Sequence, residues 1–207
     1  MTTRAVHSLR SWPRRPEFDA MPAALKAGAR WIEVASGELL FRCGETPERI
    51  YFVQHGEVRL RRLSADGAEI VLQRARHSFL AEASIESSAY HCDAVASEPA
   101  LALAFPMPLF RAGLQACAVF RDAWMAHLMG EVRRSRAQCE RLALRAARAR
   151  ILHYLESEGT DGCLQLAGTR KAWASELGLT HEALYRALAD LQREGVIRAE
   201  GDTIRRC

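Results

Sequence analysis

The chain has 207 residues, of which 49% are hydrophobic, and this length allows one large domain or two small ones around a proper core. The net charge of +4 is compatible with nucleic acid without being diagnostic of it, and the six scattered cysteines form no CxxC pair, which argues against a disulfide framework and a zinc site. No apolar run is long enough to span a membrane and the N-terminus has no apolar signal segment, so we expect a cytoplasmic protein with reduced thiols and no membrane association.

Residues 1–20 are rich in arginine and proline and show little periodicity, so the sequence predicts a flexible arm there, followed by a short helix near residues 21–27. From residue 31 to residue 105, short apolar runs alternate with turn signals, and Asp66 followed by Gly67 is typical of a hairpin. Many short, closely spaced strands favour an antiparallel roll or barrel. The predicted strands cover residues 34–35, 39–41, 50–53, 58–61, 70–72, 94–96 and 101–103.

Helical patterning follows Pro106, with a short helix over residues 108–116 and a long helix over residues 119–139. Two interpretations are open for the apolar stripe of the long helix. It can pack against the chain's own strands, or it can form a coiled-coil-like seam with a second copy, and we expect both on different faces. The stripe comprises Phe120, Trp124, Leu128 and Val132. An alanine- and arginine-rich helix is predicted next, over residues 142–155, and then a short strand over residues 163–166.

Two short helices joined by a tight turn are predicted within residues 169–192. Thr169 and Thr180 are the candidate N-caps of the two helices. Gly178 lies where the first helix must end, because glycine tolerates the left-handed conformation that a helix stop requires. Apolar residues at helical spacing mark the faces that pack inward, and they are Trp173, Leu177, Leu184, Leu188 and Leu191.

The opposite face of the second helix carries donors, an acceptor and a cation close to the helix N-terminus. This face comprises His181, Glu182, Tyr185, Arg186 and Ala189. In a DNA major groove, arginine can bond guanine bidentately and glutamate can accept from cytosine N4. The alternative is an ordinary solvated helix surface. Two short strands predicted at residues 196–198 and 203–206 would complete a winged helix, which favours the DNA-binding interpretation.

The run from residue 169 to residue 207 resembles the C-terminal domain of the Crp/Fnr transcription regulators. Thr180, Glu182 and Arg186 match the residues that open and line the recognition helix in that family, whereas His181 departs from the arginine usual in its cAMP-responsive members. The N-terminal half is similar to the cyclic-nucleotide-binding β-roll of the same family. The matching segments are GELLFRCGE (37–45), IYFVQHGEVRL (50–60) and DGAEIVL (66–72).

The resemblance implies an α+β fold with an N-terminal antiparallel β-roll of the jelly-roll type, a long dimerisation helix and a C-terminal winged helix-turn-helix. The expected boundaries are a flexible arm over 1–20, a sensor roll over 21–116, the dimerisation helix over 117–141 and the DNA-binding domain over 142–207. The expected partners are a second copy, a two-fold symmetric DNA site and RNA polymerase. The expected DNA contacts are Thr169, Arg170, Thr180, His181, Glu182, Tyr185 and Arg186.

The expected effector site lies in residues 79–96, where cAMP-binding relatives have a phosphate cassette that a Gly–Glu pair opens and an arginine closes. Here Glu82 matches the glutamate, Ala81 stands at the glycine position, and His91 stands at the arginine position. The sequence has no arginine between residues 76 and 111, so a cyclic phosphodiester would lose its main cationic partner. We therefore expect an effector other than cAMP and no cofactor. The candidate contacts are Glu82, Ala83, Ser84, His91 and Cys92.

Two alternatives remain open for the function. His91 and Cys92, with His77 or Cys43, suggest haem, metal or redox sensing, although adjacent strand residues point to opposite faces and cannot easily share one metal. The resemblance also bears on iron–sulfur ligation: the family members that bind such a cluster use cysteines near the N-terminus, and this sequence has none before Cys43. A β-roll that binds a protein partner is the second alternative. We expect no enzymatic activity, because the sequence has no GxSxG, HExxH or P-loop motif.

Overall fold

A computed structural model describes residues 10–65, 67, 69–166 and 168–207. It consists of two units, Met1–His127 and Leu128–Cys207, and the boundary falls within the long helix. The predicted hairpin residue Asp66 and the first part of the predicted arm lie outside the described residues. In the described part of the chain, no helix combines the length and the apolar content that crossing a bilayer requires.

Unit 1 begins with two short helices, α1 (Pro16–Asp19) and α2 (Ala23–Gly28). Residues 16–19 belong to the predicted flexible arm, and this part of the prediction is wrong. The side chain of Phe18 is only 2% exposed, and its ring lies 4.8 Å from Phe52 and 5.3 Å from Phe79. Burial of an aromatic side chain outweighs the weak helical preference of the local sequence, a long-range effect that periodicity cannot reveal.

Eight strands then form an antiparallel roll of two four-stranded sheets, as the sequence predicts. One sheet has the order β1-β8-β3-β6 and the other has the order β2-β7-β4-β5. The two-residue strand β6 is the one that apolar patterning missed. The strands are β1 (Arg30–Val34), β2 (Leu39–Phe41), β3 (Arg49–His55), β4 (Val58–Leu63), β5 (Glu69–Ala75), β6 (Phe79–Leu80), β7 (Asp93–Ala96) and β8 (Ala100–Pro106).

The buried carboxylate of Glu57 links several strands and turns of the roll. Gly56, at φ +77°, leaves no room for a side chain, because a Cβ there would lie 2.3 Å from the carbonyl oxygen of Pro99. The next residue, Glu57, is 2% exposed and accepts a hydrogen bond from Ser97 and from three guanidinium groups, those of Arg59, Arg74 and Arg76. Burial alone would raise the pKa of Glu57, but the Ser97 hydroxyl and the three arginines lower it to about 2.

The helices α3 (Met107–Ala116) and α4 (Ala118–Ala143) follow the roll. Phe120 and Trp124 are almost completely buried in unit 1, where the Trp124 ring lies 4.8 Å from Phe110 and 4.9 Å from Phe79. The prediction that Phe120 and Trp124 lie in a dimer seam is therefore wrong. Their spacing of four residues aligns them on the inward face of α4. Further along the predicted stripe, Leu128 is partly exposed and Val132 is about half exposed.

Unit 2 contains the rest of α4 and a small winged helix. Its elements are α5 (Ala147–Glu158), β9 (Cys163–Gln165), α6 (Arg170–Glu176), α7 (His181–Arg193), β10 (Ile197–Glu200) and β11 (Thr203–Arg206). The three strands form an antiparallel sheet in the order β10-β11-β9. The predicted helix over residues 142–155 starts too early, because Leu142 and Ala143 still belong to α4 and α5 begins at Ala147.

Candidate nucleic-acid interface and effector cavity

The helix-turn-helix is fixed by local hydrogen bonds at each helix end. The hydroxyl oxygen of Thr169 accepts from the backbone N–H of Ala172 at 3.2 Å, and that of Thr180 accepts from Ala183 at 3.1 Å. Gly178 follows Leu177, the C-cap of α6, and has a φ of +62°. Both predicted N-caps and the predicted helix stop are confirmed, because caps and left-handed glycines depend on neighbours within a few residues.

The two faces of α7 separate as the leucine spacing predicts. Leu184, Leu188 and Leu191 are buried in the core of unit 2 together with Trp173 and Leu177 of the first helix. All five residues of the opposite face are exposed, namely His181, Glu182, Tyr185, Arg186 and Ala189. A buried apolar stripe under an exposed polar face leaves this side of α7 free to contact a partner.

Arg170 joins the wing to the recognition helix. Its Nη2 donates to the carbonyl oxygen of Gly201 at 2.6 Å, and its guanidinium lies 5.5 Å from the ring centroid of Tyr185. The sequence predicted Arg170 as a DNA contact but did not indicate this link, because Gly201 is 31 residues away. A guanidinium has five N–H donors, so a bond to Gly201 leaves others for a phosphate oxygen.

Arg150 of α5 holds the turn between the two helices. Its Nη1 donates to the carbonyl oxygens of Leu177 at 3.0 Å and Gly178 at 2.9 Å. Its Nε donates to the carbonyl oxygen of Leu144 at 2.7 Å, just beyond the end of α4. A Cβ at Gly178 would lie 2.9 Å from Arg150 Nη1. A side chain at position 178 would displace the guanidinium of Arg150, and the left-handed backbone conformation there favours glycine in its own right.

A small cavity of about 60 Å³ lies inside the roll of unit 1. It is lined by Phe41, Leu60, Gln73, Ala81, Glu82, Ala83, Ser84, His91 and Cys92. The structure thus brings all five sequence-predicted effector residues together. Phe41, Leu60 and Gln73 were missed because they come from other strands, and only the pairing of those strands places them against residues 81–92.

The cavity combines an apolar wall with a few polar groups. The hydroxyl oxygen of Ser84 is buried without a hydrogen-bond partner, on a residue that is 1% exposed. Burial raises the pKa of the Cys92 thiol to about 11. His91 is exposed and Cys92 is buried, and both lie just before β7 rather than in a strand. No arginine or lysine is among the residues that line the cavity.

The possibility of a metal site finds no support in the geometry. Across residues 10–65, 67, 69–166 and 168–207, no group of three or more histidine, cysteine, aspartate or glutamate side chains could hold a metal ion. His91 and Cys92 both line the cavity, but they belong to no such group.

Each of the two units matches a known protein-family model. Residues 31–117 match the family model of the cyclic nucleotide-binding domain, and residues 148–206 match the model of the Crp-like helix-turn-helix domain. The chain belongs to the Crp/Fnr family of transcription regulators. It is a regulator of the Crp/Fnr type that carries a DNA-binding helix-turn-helix domain. The family and function expected from the sequence are confirmed.

Solved structures support the same fold. A regulatory protein from Silicibacter pomeroyi DSS-3 is 25% identical, with 90% of this chain and 88% of that chain covered and a TM-score of 0.58. FixK2 from Bradyrhizobium japonicum is 22% identical, with 86% and 92% covered and a TM-score of 0.65. DNR from Pseudomonas aeruginosa is 22% identical, with 100% and 96% covered and a TM-score of 0.53. A search among curated proteins found no match.

In this Crp/Fnr regulator, Ala81 lines the cavity with an unusual backbone conformation. Its φ is +71°, in the left-handed region that favours glycine. A non-glycine residue there is strained by roughly 1–2 kcal/mol.

Proposed function

We propose that this Crp/Fnr regulator acts as a homodimer, reads a two-fold symmetric DNA site through the exposed face of α7, and responds through its roll to an effector that is not a cyclic nucleotide. The observation that carries the DNA-binding part is the exposed polar face of α7, which lies opposite a fully buried leucine stripe. RNA polymerase is a further proposed partner, and the cytoplasm, where the DNA is reached, is the proposed location.

The proposed contacts follow from side-chain chemistry near the N-terminus of α7. Arg186 bonds a guanine bidentately and Glu182 accepts from a cytosine N4. Thr169, Thr180 and Arg170 contact phosphates and set the register on the duplex. His181 and Tyr185 stack on each other, with ring centroids 4.5 Å apart, and contact the neighbouring base pairs. Arg170 also keeps the wing beside the helix through its bond to Gly201.

The proposed dimer seam is the outward stripe of α4. Met129 and Val132 are about half exposed, Leu128 is partly exposed, and Cys139 is exposed seven residues after Val132. Val132 and Cys139 occupy equivalent positions of a heptad, and Leu128 occupies the other seam position. Two copies of α4 packed side by side would bury these side chains. Leu128 and Val132 therefore remain in the proposed interface, and Met129 joins them.

The cavity supports an effector other than a cyclic nucleotide. Sites for ligands of that size measure about 300–1,000 Å³, and this cavity measures about 60 Å³. Its lining includes the acidic residue Glu82 and lacks the cation that a phosphodiester needs. A thiol-based redox mechanism at Cys92 is disfavoured as well, because a raised pKa keeps the thiol in its unreactive protonated form.

Selection of bound duplexes from a random DNA pool tests this proposal, with the purified full-length protein and with or without cell extract. The expected outcome is an enriched motif with two inverted half-sites whose centres lie about 34 Å apart, one helical turn. Enrichment only in the presence of extract would point to a required effector. No enrichment under either condition would exclude DNA reading by α7 and would favour a protein partner for this unit.

A further inference from the structure

The search for a further site leads to a buried arginine near the end of α4. Arg141 is only 1% exposed, although arginine is one of the residue types least often buried. It belongs to unit 2, in the last turn of α4 and therefore close to the winged helix in sequence. The DNA contacts proposed above do not use it. A buried charge is costly unless it is paired and hydrogen-bonded, so its partners show what it holds in place.

The guanidinium of Arg141 is held by two helices. Its Nη2 donates to Ser157 Oγ at 2.9 Å and to Glu158 Oε1 at 3.1 Å, both at the end of α5. Its Cζ lies 4.3 Å from the ring centroid of Tyr154, one turn earlier on α5. Its Nη1 donates to Gln138 Oε1 on its own helix. A planar fork that satisfies several acceptors and stacks on a ring fixes both the distance and the angle between α4 and α5.

The network continues into the first helix of the helix-turn-helix. The hydroxyl of Tyr154 donates to Glu176 Oε1 at 3.2 Å, and Gln138 Nε2 donates to the backbone carbonyl oxygen of Glu176 at 2.7 Å. Glu176 is the last residue of α6. Arg141 therefore connects α4 with α5 directly and with α6 through Tyr154 and Gln138. The set Gln138, Arg141, Tyr154, Ser157, Glu158 and Glu176 is called the α4 junction below.

We infer that Arg141 is a positioning residue that sets the orientation of each recognition helix relative to α4, and thereby the spacing between DNA half-sites that the dimer accepts. This inference rests on the proposed homodimer and its two-fold symmetric DNA site. The second half-site binds at an effective concentration that is high only when the second recognition helix is already placed correctly. A looser α4 junction keeps each recognition helix intact and lowers that effective concentration.

The test compares full-length wild-type protein with Arg141→Met on two duplexes from the selected motif: the full site and a single half-site flanked by unrelated sequence. Methionine keeps much of the side-chain volume but has no hydrogen-bond donors.

For Arg141→Met we expect the Kd on the full site to rise roughly 100-fold, because linking two binding sites increases affinity by about 10²–10⁴. The Kd on the half-site should stay unchanged. Wild type should lose affinity when one or two base pairs are inserted between half-sites, and the variant should lose far less.

Two further variants make the outcome decisive. Arg136→Met removes the same charge from an exposed position of the same helix and should leave both duplexes and the spacing preference unchanged. Tyr154→Phe keeps the ring under Arg141 and removes only the hydroxyl bond to Glu176, so it should give an intermediate loss of spacing preference in a protein that still folds. Far-UV circular dichroism and melting temperature report whether each variant is folded.

The results separate this inference from the function on which it rests. If Arg141→Met weakens full-site and half-site binding equally, or leaves the spacing preference as in wild type, Arg141 supports only the fold of the winged helix and the inference is wrong. The same holds if Tyr154→Phe is folded and has the wild-type spacing preference. If the wild-type protein binds the full site no better than the half-site, the proposed function is wrong, because a dimer that contacts both half-sites must prefer the full site.

Discussion

Among single residues, Arg186 is expected to determine sequence preference. Replacing it with alanine removes a bidentate bond to guanine, so binding should weaken by roughly 1–3 kcal/mol per half-site and the preference at one base pair should relax. Repeating the selection with Arg186→Ala measures the preference, and titration of the selected duplex measures the affinity. Arg193→Ala is the matched control, because Arg193 is an exposed arginine at the far end of the same helix. An unchanged motif with Arg186→Ala would mean that another face of α7 enters the groove.

Glu57 makes the stability of the roll depend on pH. Its pKa is lowered from 4.5 to about 2, so its contribution is fully present above its unfolded pKa and is lost as the pH falls towards 2. We expect Glu57→Gln to lower the free energy of unfolding at pH 7 by roughly 2–4 kcal/mol, because three arginines lose their carboxylate partner. Denaturant titrations at pH 7 and pH 3 measure this difference between the two proteins, which should shrink at pH 3. An equal difference at both pH values would show that the charge of Glu57 is not the cause.

At the scale of elements, the apolar residues of α4 divide between two faces. One face packs inside unit 1, and the other is the proposed dimer seam. Phe120 and Trp124 are buried in unit 1, whereas the exposed stripe of Met129, Val132 and Cys139, with Leu128, is the proposed dimer seam. Because Val132 and Cys139 are one heptad apart, parallel packing of two α4 helices places the two Cys139 thiols next to each other. Mild oxidation should therefore link the dimer covalently through Cys139.

The crosslink is read on a non-reducing gel, and its controls are single alanine replacements of the three exposed cysteines. Cys139→Ala should abolish the linked dimer, whereas Cys43→Ala and Cys207→Ala should form it normally. Leu128→Glu in the otherwise unchanged chain should prevent crosslinking and give a monomer in sedimentation, because a charge would be buried in an apolar seam. A dimer that survives Leu128→Glu and does not crosslink at Cys139 would place the interface on another element.

At the scale of the whole molecule, the matched domain family suggests a cyclic nucleotide as ligand, whereas the chemistry of the candidate effector cavity does not suit one. The roll matches the cyclic nucleotide-binding domain over residues 31–117, but its cavity is small and has no cation on its wall. We expect no binding of cAMP or cGMP at micromolar concentration in isothermal calorimetry at ordinary salt. The double variant Ala81→Gly, His91→Arg restores the family residues at two positions and tests whether the missing glycine and cation account for the loss. Micromolar binding by the wild type would contradict the prediction.

The sequence by itself determined the elements that depend on near neighbours. Thr169 and Thr180 cap their helices, Gly178 ends the first one, and the leucine spacing divides α7 into an inner and an outer face. These features arise from contacts within a few residues, so the local pattern contains the information needed to predict them. The strands of the roll were predictable for the same reason, because short apolar runs between turns have few other structures available.

Only the tertiary structure decided the features that join distant parts of the chain. Phe120 and Trp124 share the periodicity of a seam, and it is the roll packed against them that makes them core residues. α4 ends at Ala143 in a chain whose local pattern continues as helix, and Arg150 donates to the carbonyl oxygen of Leu144 in that break and to that of Leu177 in the helix-turn-helix. The bond from Arg170 to Gly201 likewise joins residues 31 positions apart. Such contacts form only when the chain returns to itself, and no spacing within one segment encodes them.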